Sequence, residues 1–315
     1  MKIERKRAAR IVAERISTLS EANLHDMKGS DIRLTERFMN FLTSDLAEER
    51  HESDFGNGKV RFSQYEKAGI RVSDLTVLPD GGEEMIGRVT GRYITVSFPD
   101  VLYLGEANKE ILSDEITRAL SELTTACAKR ILIVGLGNRN FTSDSIGVWV
   151  AEGVEATPPQ MAELSQRAVA TLIPGTEGQT GLATVWQVKH TAEIFAADLV
   201  IVIDALAAKD TARLLRTVEL CDTGIAPGSG IGGSQTAICR ETVGIPTLGI
   251  GIPTVTRSAA FAEKVSLFVG ADEEAAHSAA HAHAGYFVVP GRLDYGVRTV
   301  AALVCRAIGN FIHPQ

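Results

Sequence analysis

ILIVGLG at residues 131–137, ADLVIVIDA at 197–205 and IPTLGIGIP at 245–253 are continuous apolar runs ending in glycine, aspartate or proline. A half-buried strand alternates apolar with polar residues. A strand covered on both faces does not, so runs of this length indicate buried parallel strands. The segments between them are long enough for helices, which predicts an α/β body: a central, mostly parallel or mixed sheet with helices on both faces.

Outward from this centre, RTVELCD (216–222) and GYFVVP (285–290) read as further strands, and Tyr295 to Ile312 as a closing helix. Residues 108–128 carry Ile111, Leu112, Ile116, Leu120 and Leu123 at helical spacing. Between about residues 60 and 100, short alternating runs such as IRVSDLTVL and RYITVSF are punctuated by Pro79, Gly81, Gly82, Gly91 and Pro99. That pattern predicts a smaller strand-rich meander ahead of the α/β body. Residues 44–60 are charged and poor in apolar side chains, and read as a surface loop. Ala8, Ile11, Val12, Ile16 and Leu19 give the first twenty residues the stripe of a basic amphipathic helix, expected to dock on the body.

The chain has 315 residues, enough for one large domain or two small ones at about 150 each, with 45% hydrophobic and 23% charged side chains. This composition excludes a disordered, low-complexity chain. A net charge of −7 provides no basic field that would seek nucleic acid. The four cysteines, Cys127, Cys221, Cys239 and Cys305, show no CxxC spacing, so neither a disulfide framework nor a thiolate zinc site is expected. Residues 1–15 lack the apolar core of an export signal, and no run reaches the ~18 apolar residues of a membrane span. A cytoplasmic protein is expected.

Gly135-Leu136-Gly137-Asn138 follows a strand, but position 140 is Asn where a dinucleotide fingerprint needs its third glycine. Asp144 stands in the first turn of the next helix, where free N–H groups favour a carboxylate; a plain capping acid is the simpler reading. Asp204 closes the LVIVI strand among apolar flanks, where a charge is costly unless it is paired or used. Strand carboxyl ends near a topological switch point are where sites form in open parallel sheets. Two aspartates meeting there can work as one ionised base and one protonated acid. Three glycine-rich loops, 174–181, 222–230 and 249–254, flank them and let a substrate backbone approach. On this reading Asn138, Gly178, Thr180, Gly228 and Ser229 are candidates to line a groove. His277, His281 and His283 lie in an Ala-rich stretch without an HExxH glutamate and read as an exposed helix or loop. No metal and no cofactor is expected.

The motifs GLGNRNFTSDSIG (135–147), PGTEGQTG (174–181), VIVIDALAA (200–208), DTGIAPGSGIGG (222–233) and ETVGIPTLGIGIPTV (241–255), in this order, closely resemble the germination protease family of spore-forming bacteria. MIGRVTGRYITVSFPD (85–100) resembles the family's sequence before its first central strand, and SDLAEE (44–49) its propeptide junction. The likeness runs from about residue 44 to the closing FIHP.

The resemblance implies an endopeptidase that starts degradation of small acid-soluble spore proteins during germination, in the spore core or forespore. It implies a zymogen that loses an N-terminal propeptide, a fold similar to hydrogenase maturation proteases, and a homotetramer. It also implies unusual aspartic catalysis by the aspartates of the GLGN and IDALAA motifs, here Asp144 and Asp204. Processing is expected between Asp45 and Leu46, with backbone exposed and mobile there, separating a basic helical segment 1–45 from a single α/β peptidase domain 46–315. No direct nucleic-acid partner and no membrane are expected. Four positions depart from the family pattern: Ala226 replaces a usual His, Arg139 an aromatic, Ser143 a Pro and Glu177 an apolar residue. These departures leave one alternative, an inactive homologue that only binds spore proteins; against a second, a metal-sensing peptidase of the hydrogenase maturation type, stand Ala226 in place of the His and the DALAA motif.

Overall fold

In the chain's computed structural model the apolar runs are strands because both of their faces are covered. The structure describes residues 44–47, 49, 58–79, 81–83, 87–124, 128–157, 167–228 and 236–314, all within a compact unit, Leu42–Gln315. The helix expected over the first twenty residues lies outside them. In chain order the elements are β1 (Val60–Lys67), β2 (Ile70–Val77), β3 (Gly91–Ser97), α1 (Glu106–Leu123), β4 (Arg130–Gly135), α2 (Ile146–Gly153), β5 (Ala168–Leu172) and α3 (Thr184–Phe195). They continue as β6 (Leu199–Ala208), β7 (Thr217–Cys221), β8 (Thr247–Arg257), α4 (Ser258–Phe268), α5 (Glu273–Ala282), β9 (Phe287–Val288) and α6 (Leu293–Ile312).

One mixed sheet runs in the order β1-β2-β3-β7-β8-β6-β4-β5, with β9 beside β8. β5, β4, β6 and β8 are parallel neighbours; β8, β7, β3, β2 and β1 are antiparallel. The strand-rich meander is therefore no separate layer, because β3 pairs with β7 and extends the central sheet. Its β1–β2 hairpin turns through Ala68 and Gly69, both at positive φ, the backbone that matches strand twist in two-residue loops.

The apolar runs divide by alternate residues. Ile131, Ile133, Ile201 and Ile203 join the core under α1, α2 and α6. Leu132, Val134, Val200 and Val202 join the opposite core under α3. Burial of each such side chain contributes about 1.5–3 kcal/mol, and each face of β4 and β6 needs its own helical cover. α6, the expected closing helix, buries Val297, Val300, Val304, Ile308 and Phe311 along one side.

β6 does not end at Asp204 as expected. It continues to Ala208 because β8 accompanies it as far as Thr256, whereas β4 leaves it after Gly135 pairs with Ile203. β4 leads through α2 to β5, while β6, on the other side of β4, leads outward toward β8. That divergence is the switch point of the parallel half. No helix among the described residues is long and apolar enough to cross a membrane.

Candidate active site

Asp144 is placed by glycine geometry. Gly137 has φ +106°, and a Cβ there would lie 1.8 Å from the Asp144 carbonyl oxygen, so only glycine lets the loop close. The Asn138 N–H then donates to that carbonyl (3.0 Å) and to Asp144 Oδ2 (2.9 Å). Asp144 is the last residue of a 3-10 turn, Thr142–Asp144. α2 begins two residues later, with Ser145 at its cap and no side-chain cap bond. Asp144 is thus no capping acid; its carboxylate faces the strand loop. α2 itself rides close on β6, since a Cβ on Gly147 would lie 2.4 Å from the Ile203 carbonyl oxygen.

Asp204 lies one residue past the last β4–β6 pairing. It is only 5% exposed, and its Oδ1 accepts the N–H of Ala205 at 2.9 Å. Burial pushes its pKa well above the usual carboxylate value; the nearby charges of Asp144 and then Asp45 add to the rise, and the Ala205 N–H opposes it. Asp144 is also raised by burial, against the lowering effect of the Asn138 N–H. Neither carboxylate has a cationic partner among the described residues.

Both aspartates line one cleft of about 660 Å³. Gly137, Phe141, Thr142, Thr176, Leu206, Ala226 and Gly228 contribute to its wall. Of the expected groove residues, Gly228 lines it and Asn138 acts through its backbone on Asp144. Gly178 and Thr180 lie on an exposed helical turn beside it; their neighbours Gly175 and Thr176 face the cleft. Thr180 uses its hydroxyl on the Thr176 and Leu182 carbonyls. Ser229 lies outside the described residues. Ala226 lines the cleft where the resemblance led to a His. Arg139 lies over the Trp149 ring and pairs with Glu152.

The junction at Asp45 and Leu46 overturns the expectation of an exposed loop. Ser44, Asp45, Leu46 and Ala47 are all buried, Leu46 and Ala47 completely. The Asp45 N–H donates to the Ala207 carbonyl (2.9 Å), and Asp45 Oδ2 accepts the Ala207 N–H (2.8 Å). Asp45 therefore reaches the cleft that holds Asp144 and Asp204. Leu46 packs on Ala208 and Leu214, and the Ala47 N–H donates to Glu219 at 2.6 Å. Polar composition misled the sequence reading because these carboxylates find backbone N–H groups rather than water.

Sequence reasoning missed Glu219 altogether. It is buried in β7 and paired with Arg88; burial raises its pKa, while Arg88 and the Ala47 N–H hold it down. Its only sequence signal was a lone acid inside RTVELCD. Cys221 is buried with a raised pKa, which leaves its thiol unreactive. The histidines lie on and after α5, as an Ala-rich helix. Among the described residues no three His, Cys, Asp or Glu side chains gather as metal ligands would.

Comparison with known proteins adds a family. Peptidase family A25, described as germination protease, matches residues 39–269. A germination protease of Clostridium acetobutylicum is 34% identical over 239 residues, covering 71% of this chain and 73% of that relative. One of Clostridium perfringens is 34% identical over 61% of this chain and 62% of the relative. One of Bacillus velezensis is 35% identical over 63% and 56% respectively.

Proposed function

The chain belongs to the germination protease family, a family of peptidases, and on that premise we propose that Asp144 and Asp204 are its catalytic pair and small acid-soluble spore proteins its substrates. Asp204, the more deeply buried carboxyl and the one facing a second charge, carries the proton. Asp144, oriented by the Asn138 N–H, is the ionised partner. Asp144 takes a proton from water as the water oxygen attacks the scissile carbonyl carbon. Asp204 gives its proton to the departing nitrogen as the carbon–nitrogen bond breaks. The pair is left with the proton on Asp144, and its return to Asp204 resets the site.

The observation that carries this reading is two carboxyls, without a cationic partner among the described residues, in one cleft at the sheet's switch point. Burial and the facing Asp144 charge both favour the protonated form of Asp204. We extend the proposal to maturation: residues 1–45 are a propeptide released by cleavage between Asp45 and Leu46, leaving 46–315 as the working peptidase. Assembly as a homotetramer within the spore belongs to the same proposal.

The test is incubation of the purified chain with a small acid-soluble spore protein, beside Asp204→Asn. Discrete fragments from the parent chain and none from the variant support the pair. Fragments at equal rates from both sink it, and binding of the spore protein without any fragments favours an inactive homologue.

A further inference from the structure

Glu49 is an acidic side chain near a surface, yet its carboxylate is almost wholly covered, at 6% exposure. Oε2 accepts the Lys209 N–H at 2.7 Å, and Oε1 accepts the Asp210 N–H at 2.8 Å. Arg213, 14% exposed, approaches Oε1 through Nε at 3.4 Å. The Ser44 hydroxyl donates to the same carboxylate. Two adjacent backbone N–H groups and a guanidinium form a receptor for a charged, two-oxygen group. A primary amide fits it poorly, because its NH₂ would face a donor. The Asp210 carboxylate does not compete; it is engaged by Lys264 (2.6 Å) and the Ala212 N–H (2.8 Å).

The contacts follow one direction. Asp45 bonds Ala207, Leu46 packs on Ala208, and Glu49 bonds Lys209 and Asp210. The segment thus runs alongside the end of β6 and beyond, starting in the cleft of Asp144 and Asp204. A peptide laid on that edge in the same register would bring its own side chain to the place Glu49 fills.

We propose that Arg213, together with the N–H groups of Lys209 and Asp210, is a specificity subsite that reads an acidic side chain at the fourth residue beyond the scissile bond, and that Glu49 occupies this subsite in the full chain. The proposal rests on the reading of Asp144 and Asp204 as the catalytic pair and of Asp45–Leu46 as the bond they cut, from which the fourth residue is counted.

Loosening the chain's own segment should open the subsite to a peptide in trans only where Arg213 is intact. Two labelled peptides are used: a copy of residues 42–51, and the same copy with Gln in place of Glu49. Their binding is read by fluorescence anisotropy on full-length chains carrying Asp204→Asn to prevent turnover. Adding Glu49→Gln should tighten binding of the acidic peptide about tenfold and make it preferred over the Gln peptide by about tenfold. Arg213→Gln loosens the same segment but should show no preference, and Arg213→Lys should recover part of it. Equal affinity for both peptides in the Glu49→Gln chain overturns the proposal. So does an undiminished preference in Arg213→Gln, or no binding of either peptide. Cleavage of the acidic peptide by the chain with Asp204 intact is followed in parallel. A preserved preference without cleavage sinks the catalytic reading and keeps the subsite.

Discussion

Asp45 and Ala207 exchange two hydrogen bonds, one from the Asp45 N–H to the Ala207 carbonyl and one from the Ala207 N–H to the Asp45 carboxylate. The strand edge that β4 vacates after Gly135 is thereby occupied by the chain's own segment. An edge of unpaired N–H and C=O groups next to two acids is a natural track for a peptide backbone.

The Asp45 carboxylate also acts on Asp204 through its charge, which adds to the rise of the Asp204 pKa. Asp45→Asn keeps an acceptor for the Ala207 N–H and removes the charge. Amide exchange at Ala207 should therefore stay slow in Asp45→Asn and quicken about tenfold in Asp45→Ala, where the acceptor is lost. In Asp45→Asn the Asp204 carboxyl should titrate at lower pH than in the parent chain, read by carbon NMR of the carboxyl. An Asp204 titration that does not move sinks the assignment of that charge effect.

If Asp144 and Asp204 are the pair proposed, Asn at either position should slow peptide cleavage by about 10²–10⁴-fold, the usual contribution of a positioned acid or base. Stability should move the other way. The folded pKa of Asp204 lies above its unfolded value of about 4. Between those values the folded chain holds more protons than the unfolded one, so stability falls as pH rises through the window. Asp204→Asn removes that loss. Its Tm should exceed the parent's near neutral pH, and the advantage should shrink toward about pH 4. Asp144→Asn should behave alike to a smaller extent. A Tm for Asp204→Asn below the parent's at neutral pH contradicts the raised pKa.

The parallel half of the fold was legible because each central strand satisfies two cores at once. Ile131 and Leu132 are both buried, on opposite faces, so no polar residue interrupts the run. Asp204 stood out for the same reason, as a charge where every neighbour is apolar. What escaped were relations between distant residues. The β3–β7 pairing that merges the meander into the sheet leaves no local pattern. The polar segment at 44–49 read as loop because its acceptors are met by Ala207, Lys209 and Asp210, far along the chain. Glu219 was hidden because its partners, Arg88 and the Ala47 N–H, come from two other segments.

Gly137 ties the nucleotide-site-like GLGN sequence to its actual use. Its φ of +106° and the 1.8 Å approach to the Asp144 carbonyl leave no room for a methyl group. Gly137→Ala should displace Asp144 and its bond from the Asn138 N–H, destabilising the chain by about 3 kcal/mol. Cleavage should fall more steeply than stability, since the carboxylate proposed as the base is what moves. Urea unfolding at a temperature where the variant remains folded, with peptide turnover measured alongside, separates the two effects. Near-parental turnover in a stably folded Gly137→Ala chain contradicts the role of this loop in placing Asp144.

Maturation is the last consequence of the buried junction. The Asp45–Leu46 bond is flanked by residues with almost no exposure, so a soluble protease that cuts after acidic residues should leave it intact in the folded chain. The same protease should open it readily once the chain is unfolded, because cleavage needs an extended, accessible backbone. The chain's own Asp144 and Asp204 lie in the cleft that Asp45 enters, so self-processing should proceed within one molecule. N-terminal sequencing should show a new terminus at Leu46 in the parent chain, at a rate that does not change on dilution, and none in Asp204→Asn. Glu49→Gln, which loosens the segment's anchor at Lys209 and Asp210, should slow that appearance because the bond is held in register less of the time. A Leu46 terminus that forms equally in Asp204→Asn rules out self-processing, and an intact Met1 terminus in fully active enzyme makes residues 1–45 a permanent part of the chain.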